Sequence, residues 1–426
     1  MRKRFGKSNI LSLVATIAAM AVLPFSFVAC AQASYTQLPA DNIGTIVGAD
    51  TEKNYTPTGV DTPHGNDERE ITENNDALVG DTVGGGTVNG VGDTTPTVDG
   101  DDTDEYADML IFDRVANGYS VRAKDRETIT ECVIPSYYKG VPVIGIKGNG
   151  FVNCKELVKI SLPDTIVEIG TAAFFYCEKL TEINIPHLVS KIGDAAFRNC
   201  ASLREISLPD SVVELGKGVF SGCVNLNSVR LSNRITRISG NAFYNCKSLV
   251  TLNAPDALRE IGSWAFCNCE SLRFFSLFDV NVIGDCAFRG CTSLSRIYMD
   301  DCTTEFGALV FAGCKGLISA SFSSSLNIVP AGTFFGCSSM TSVTLPSGVR
   351  EIGYGAFYGC TALQRITGMA GITKIGNYAF GKCARLTSAV LPSTGVTIGD
   401  DLFGEVDDME ALLRQLDAGV DIQPDL

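Results

Sequence analysis

Phe174-Phe175-Tyr176-Cys177-Glu178-Lys179-Leu180 returns 23 residues later as Phe197-Arg198-Asn199-Cys200-Ala201-Ser202-Leu203, and again as Phe220-Ser221-Gly222-Cys223-Val224-Asn225-Leu226. The phenylalanines of this pattern fall at 151, 174, 197, 220, 243, 266, 288, 311, 334, 357, 380 and 403, and every step is 23 residues apart from the 22 between Phe266 and Phe288. Eleven of the twelve have a cysteine three residues on; Phe403 has Val406 instead. A fixed period of this length marks a stacked array, in which no unit buries its apolar face alone and each covers its neighbours. The 426 residues are therefore expected to form one array over 151–403 rather than several globular domains.

Within one unit, Leu180-x-x-Ile183-x-Ile185-Pro186 reads as a short strand. Ile183 and Ile185 point inward by the two-residue alternation, Glu182 and Asn184 outward, and Pro186 has no N–H to extend a ladder. Ile192-Gly193 is expected to turn the chain, and Asp194-Ala195-Ala196-Phe197 to lead back as a helical or 3₁₀ turn packed by the phenylalanine. The expected class is α/β: a solenoid with a parallel β-sheet on one face and stacked phenylalanines inside. At about 4.8 Å per strand, eleven steps make an array on the order of 50–55 Å long.

The pattern Cys-x-x-Leu-x-x-Ile-x-Leu-Pro-x-x-Val-x-x-Ile-Gly-x-x-Ala-Phe resembles the 23-residue leucine-rich repeat of BspA-like (Treponema-type) proteins. Asp164-Thr165-Ile166-Val167-Glu168-Ile169-Gly170 and Leu345-Pro346-Ser347-Gly348-Val349-Arg350-Glu351-Ile352-Gly353 carry the match, which covers about 109–403. The resemblance implies a leucine-rich-repeat solenoid on an exported bacterial surface protein engaged in adhesion to host matrix proteins or other cells. It transfers no catalytic residue.

Outside the array the composition changes sharply. Residues 1–33 carry Arg2, Lys3, Arg4 and Lys7 and no acid, followed by an apolar run from Ile10 to Leu23, as in an export signal. Two processing sites stay open: Ala31-Gln32-Ala33 fits a small-x-small cleavage, and Phe27-Val28-Ala29-Cys30 resembles a lipoprotein box that would leave a lipidated Cys30. Residues 34–105 are rich in Gly, Thr and Asp and read as a disordered acidic spacer. The stretch 34–107 holds 16 acidic and two basic side chains, so it alone matches the formal net charge of −14. Its glycines lack the strand, the helix and the Gly-Lys-Ser/Thr of a phosphate loop, and Asp99 to Glu105 lack the order of a calcium loop. Residues 106–150 read as an N-terminal cap built on a hairpin at Asn117-Gly118, and 404–426 as a C-terminal cap whose helix spaces Met409, Leu412, Leu413 and Leu416.

Sixteen cysteines in an exported chain suggest disulfides, but eleven recur at one place per unit, where they are expected to form a buried column of free thiols. Cys132, Cys267, Cys286 and Cys302 fall off that register and are where a bridge would lie. No cofactor or metal is expected, because a column does not converge on an ion. His187 is the one histidine of the array, and no Ser/His/Asp or Cys/His set forms around it, so the chain is expected not to be an enzyme. No basic stripe suits nucleic acid. The remaining partner classes are a protein ligand or a glycan at a cell or matrix surface, a passive spacer being the alternative, with membrane attachment only through Cys30. Outward strand positions are mostly small, as at Ser161, Asn184, Ser207 and Ser276. Arg230, Phe274, Arg296 and Tyr298 stand out against them and are expected to project from one face within four adjacent strands. The irregular units lie there too: the 22-residue repeat, Phe278 and Asp300 in place of the strand-ending proline, and Val329-Pro330 in place of Ile-Gly.

Overall fold

The computed structural model describes residues 108–389, 391 and 395–404. The export signal with Cys30, the acidic spacer and the helix expected after residue 404 lie outside the described residues. Among these residues the chain forms 26 short strands and a single three-residue 3₁₀ turn, Met369–Gly371. The helical half of the expected α/β class is therefore absent from the repeats, and each turn of the solenoid instead gives a strand to two parallel ladders.

The first ladder is paired in sections: Glu131–Val133 to Glu182–Ile183, Glu205–Ser207 to Thr251–Asn253, Arg296–Tyr298 with Ser319–Ser321, and Ser342–Thr344 to Ser388–Ala389. Partners sit one repeat apart, as in Ile160↔Ile183 and Val229↔Leu252. The second ladder runs through Glu168–Ile169, Lys191–Ile192 and Glu214–Leu215 in the same offset. From Glu168 to Glu260 the outward residues of this row alternate in sign, and Lys191–Glu214 (3.5 Å) and Arg237–Glu260 (3.1 Å) pair across the step. Exposed pairs of this kind contribute at most about 1 kcal/mol each. Their effect is on register, since a slipped unit would face like charge with like.

The glycine after Ile192 does not turn the chain. Ile192 ends a strand, and a Cβ on Gly193 would stand 2.5 Å from the Thr171 amide nitrogen of the preceding turn. Close approach of successive backbones is what requires glycine there.

The segment around each phenylalanine is the main departure from expectation. Two residues per repeat, at Phe−2 and Phe+2, have positive φ, for example Asn149 (57°) and Asn153 (59°), or Gly218 (60°) and Gly222 (76°). Left-handed residues at that spacing cannot continue a helix. The amides point sideways instead: Phe151 N–H donates to the Ala173 carbonyl and Asn153 N–H to that of Phe175, one repeat on. The turns thus form a third hydrogen-bonded row, and the backbone is satisfied between units rather than within them.

At the N-terminus, Leu110–Val115 and Gly118–Ala123 form the antiparallel hairpin read from Asn117-Gly118, with Val115↔Gly118 closing it. Its second strand pairs in parallel with Val141–Ile146, which continues into the second ladder at Glu168–Ile169. Glu131–Val133 starts the first ladder.

The interior is the phenylalanine column. Phe151 to Phe380 are fully buried, and consecutive rings stack with centroids 5.2–6.0 Å apart through to Phe403. Beside it runs the cysteine column, buried from Cys154 to Cys383. Each thiol from Cys177 onward donates to the carbonyl of the phenylalanine 26 residues earlier (25 at Cys291), as in Cys223 Sγ to Phe197 O at 3.0 Å and Cys246 Sγ to Phe220 O at 3.1 Å. No disulfide joins any of the fifteen described cysteines, Cys132 and Cys302 among them. Burial pushes the Cys223 and Cys383 thiols up to about 12, which keeps them protonated and unreactive. Thiol counting on denatured, unreduced protein is expected to find most of the eleven ladder cysteines reactive; a majority blocked would contradict this packing.

Candidate functional site

The first ladder presents one row of outward residues before each buried strand residue and one after it. In Ser228–Arg230, Val229 is 3% exposed and Arg230 projects to solvent. In Arg296–Tyr298, Ile297 is 1% exposed between an exposed Arg296 and an exposed Tyr298. Phe274 is 58% exposed, a large value for a bare aromatic ring.

The four side chains are not carried on four adjacent strands, as the sequence suggested. The ladder ends at Thr251–Asn253 and resumes at Arg296–Tyr298, and between them the Phe274 segment makes a single bridge, Leu277↔Met299. The cause lies one residue on. Phe275 occupies the inward position that other units give to Ile, Val, Leu or Ala, and its ring lodges against Phe266 at 4.9 Å and Phe288 at 5.2 Å. A ring of that size holds the local backbone off the ladder, and the missing residue of the 22-residue repeat falls in the loop just after. Phe278, standing where most units have proline, is left 63% exposed beside the break. In the sequence Phe278 shows only as a lost proline.

Charge is distributed unevenly over this face. Toward its N-terminal end Lys159 pairs with Glu182 at 2.9 Å. From Asn227 to Thr367 no outward strand position carries Asp or Glu. Arg230, Arg296 and Arg365 occupy these rows, Arg273 is exposed just before Phe274, and among the described residues none of the four forms an ion pair. Of the acids beside these strands, Glu270 pairs with Lys247 at 3.0 Å, and Asp300 and Asp301 are engaged with backbone. Asp300 accepts from the amides of Asp279 (2.7 Å) and Cys302 (3.1 Å), and Asp301 from that of Ser324 (2.7 Å).

Asp279, Asp300 and Cys302 bring their ligand atoms within 4.8 Å of one another. The carboxylates hold the Cys302 thiol above its ordinary range, Asp300 more than Asp279, and Cys302 Sγ lies 3.7 Å from Asp279 Oδ1. Asp300 is already the hydrogen-bond acceptor that shapes this loop. His187 contacts Asp164 at 3.2 Å, both exposed, with no nucleophile in the arrangement.

A second apolar cluster, not foreseen from the sequence, lines the turn row: Cys286, Leu309, Ala312, Phe335 and Tyr358, with Trp264, Tyr354 and Tyr378 partly covering it. The aromatic positions at Phe−2 and Phe+1 were its signal. Phe335 and Tyr358 stack at 5.2 Å, so it reads as added packing between C-terminal units.

Repeated 23-residue turns, two parallel ladders and an outward face of small residues define a leucine-rich-repeat protein. The profile of the BspA type leucine rich repeat region matches residues 144–273 and 281–410 in six copies. The chain belongs to that family. Among solved structures it is similar to a leucine-rich repeat protein from Bacteroides ovatus ATCC 8483, at 26% identity over 71% of this chain and 92% of that one, TM-score 0.49. It is also similar to a leucine rich cell surface protein from Faecalibacterium prausnitzii A2-165, at 25% identity over 72% and 96%, TM-score 0.42. A third likeness is to the T. pallidum leucine rich repeat protein, at 21% identity over 67% and 98%, TM-score 0.24. No curated protein matches the chain. No helix among the described residues is long and apolar enough to cross a membrane.

Proposed function

We infer that this is an exported surface-associated binding protein that recognises a protein ligand at a cell or matrix surface through its first-ladder face. Residues 1–33 direct export, Cys30 offers a lipid anchor, and 34–105 space the array from its attachment. The observation that carries the reading is the exposure of Arg230, Phe274, Arg296 and Tyr298 on a stretch of this face whose other outward positions are mostly Ser, Thr and Asn. Arginine and large aromatics bring directed donors and wide contact area, which is why they dominate interface energetics. A bare phenylalanine ring in water costs free energy that a partner's surface would recover. A passive spacer has no use for such an arrangement, and a glycan surface would favour stacking Trp or Tyr over Phe274.

The test is the Arg230→Ala/Phe274→Ala/Arg296→Ala/Tyr298→Ala variant. All four side chains lie outside the core, so it is expected to melt as the parent does and to lose attachment to cells or immobilised matrix protein by at least tenfold, about 1.4 kcal/mol. Attachment equal to the parent's would remove the site.

A further inference from the structure

The unpaired arginines on this face point to the chemistry of its ligand. At several other outward positions a cation meets a carboxylate one repeat away: Lys159 meets Glu182, Arg237 meets Glu260, and Lys374 meets Glu351 at 2.6 Å. The 23-residue register makes such pairing easy, because every outward position has a neighbour at the next step. On the face from Asn227 to Thr367 the neighbours of Arg230, Arg296 and Arg365 are Ser, Asn or Phe274 and those of Arg273 are Val250 and Ser295, never an acid. Arg230, Arg273, Arg296 and Arg365 are left without a carboxylate on a chain whose net charge is −14. Guanidinium groups present forked donors that match a carboxylate in two parallel bonds.

Spacing narrows the class. Arg230 and Arg296 stand three repeats apart, and so do Arg296 and Arg365, which is about 14 Å per interval at the usual strand separation. A duplex nucleic acid carries a charge about every 1.7 Å of its axis and calls for a dense basic stripe. Sparse arginines around exposed apolar rings suit a ligand whose charges are sparse and whose middle is apolar. An extended chain rises about 3.3 Å per residue, so one interval spans about four residues.

We propose that this face binds an acidic polypeptide segment, extended along the stack, with carboxylates about four residues apart flanking an apolar side chain that rests on Phe274 and Tyr298. The proposal rests on the sheet-face reading above and adds the charge and spacing of the partner. Binding is then led by contact-range charge, since fields from the rest of the acidic chain are screened beyond about 8 Å at physiological salt.

The probe is a fluorescein-labelled 15-residue peptide in a Gly/Ser background, with Glu at four-residue intervals and Phe between them, and its twin with Gln for every Glu. Anisotropy titrations of the full chain are expected to show the Glu peptide binding at least tenfold tighter than the Gln peptide. The preference is expected to shrink as NaCl rises from 50 to 300 mM and to vanish in Arg230→Ala/Arg273→Ala/Arg296→Ala/Arg365→Ala. Equal affinity for the two peptides, or a preference that survives the arginine variant, overturns the proposal. Arginine-dependent binding of heparin with no binding of the Glu peptide overturns it in favour of an anionic glycan. A Phe274→Ala/Tyr298→Ala variant keeps the two readings apart. If it loses cell or matrix attachment while the arginine variant retains it, the surface stands and the acidic ligand falls. If both variants attach like the parent, both readings fall.

Discussion

Phe220→Ala is expected to lower the stability of the array by about 3–5 kcal/mol, the usual cost of emptying a buried aromatic site. The ring has no exposed surface and lies between Phe197 at 5.5 Å and Phe243 at 5.4 Å. Its loss removes two stacking contacts as well as buried area, and such contacts are worth about 0.5–1.5 kcal/mol each beyond burial. Little can collapse into the gap, because the backbone there is held by Phe220 N–H to Ala242 O and by the Cys246 thiol on Phe220 O. In a solenoid each unit is stabilised only by its neighbours, so the defect weakens the coupling between the two halves. Denaturant melts of variant and parent give the number. Phe403→Ala supplies the internal comparison, since Phe403 is 45% exposed and ends the described column, and it should cost clearly less. A loss under about 1 kcal/mol for Phe220→Ala would place the phenylalanines outside the core.

The parts of this fold that could be read from the sequence are those fixed by side-chain periodicity. Phe, Cys, Leu and Ile at constant offsets have to face inward whatever the backbone does between them, and Phe220, Cys223, Leu226 and Val229 are all buried. The helical turn was misread because the hydrogen-bond partner of each amide is not a local property. Asp194-Ala195-Ala196-Phe197 has good helix formers, yet Ala195 takes φ of 53° so that its N–H reaches Lys217 O in the next repeat. The clue was present as Asn and Gly at Phe−2 and Phe+2, in Asn149, Asn153, Asn241, Asn245, Gly218 and Gly222, residues that enter the left-handed region most readily. The break at Phe274 was half legible. The short repeat marked the place, but whether Phe275 would displace a strand depended on the room its neighbours left. The charge pattern of the face was legible only once the outward rows could be followed from unit to unit.

Raising the pH under reducing conditions is expected to unfold the array within a narrow window, between about pH 9 and 10. Ten ladder thiols, Cys177 to Cys383, are held above the ordinary thiol range, mostly by burial in the phenylalanine core. In the unfolded chain they titrate near 8.5. Because the folded state raises these values, the stability they support is complete below about pH 8.5 and is lost as pH climbs toward the folded values near 12 and beyond. Each thiol then contributes a loss of about 1.4 kcal/mol per pH unit, and ten together about 14 kcal/mol per unit. That slope exceeds the whole stability of an ordinary domain, about 5–15 kcal/mol, within one unit. Tyrosines and lysines ionise at about 10 and above, so the thiols act first. Far-ultraviolet circular dichroism and thiolate absorbance, followed in one titration, are expected to change together. Thiolate signal rising near pH 8.5 while the strand signal holds would show the column open to solvent, and the buried, carbonyl-bonded thiols would have to be given up.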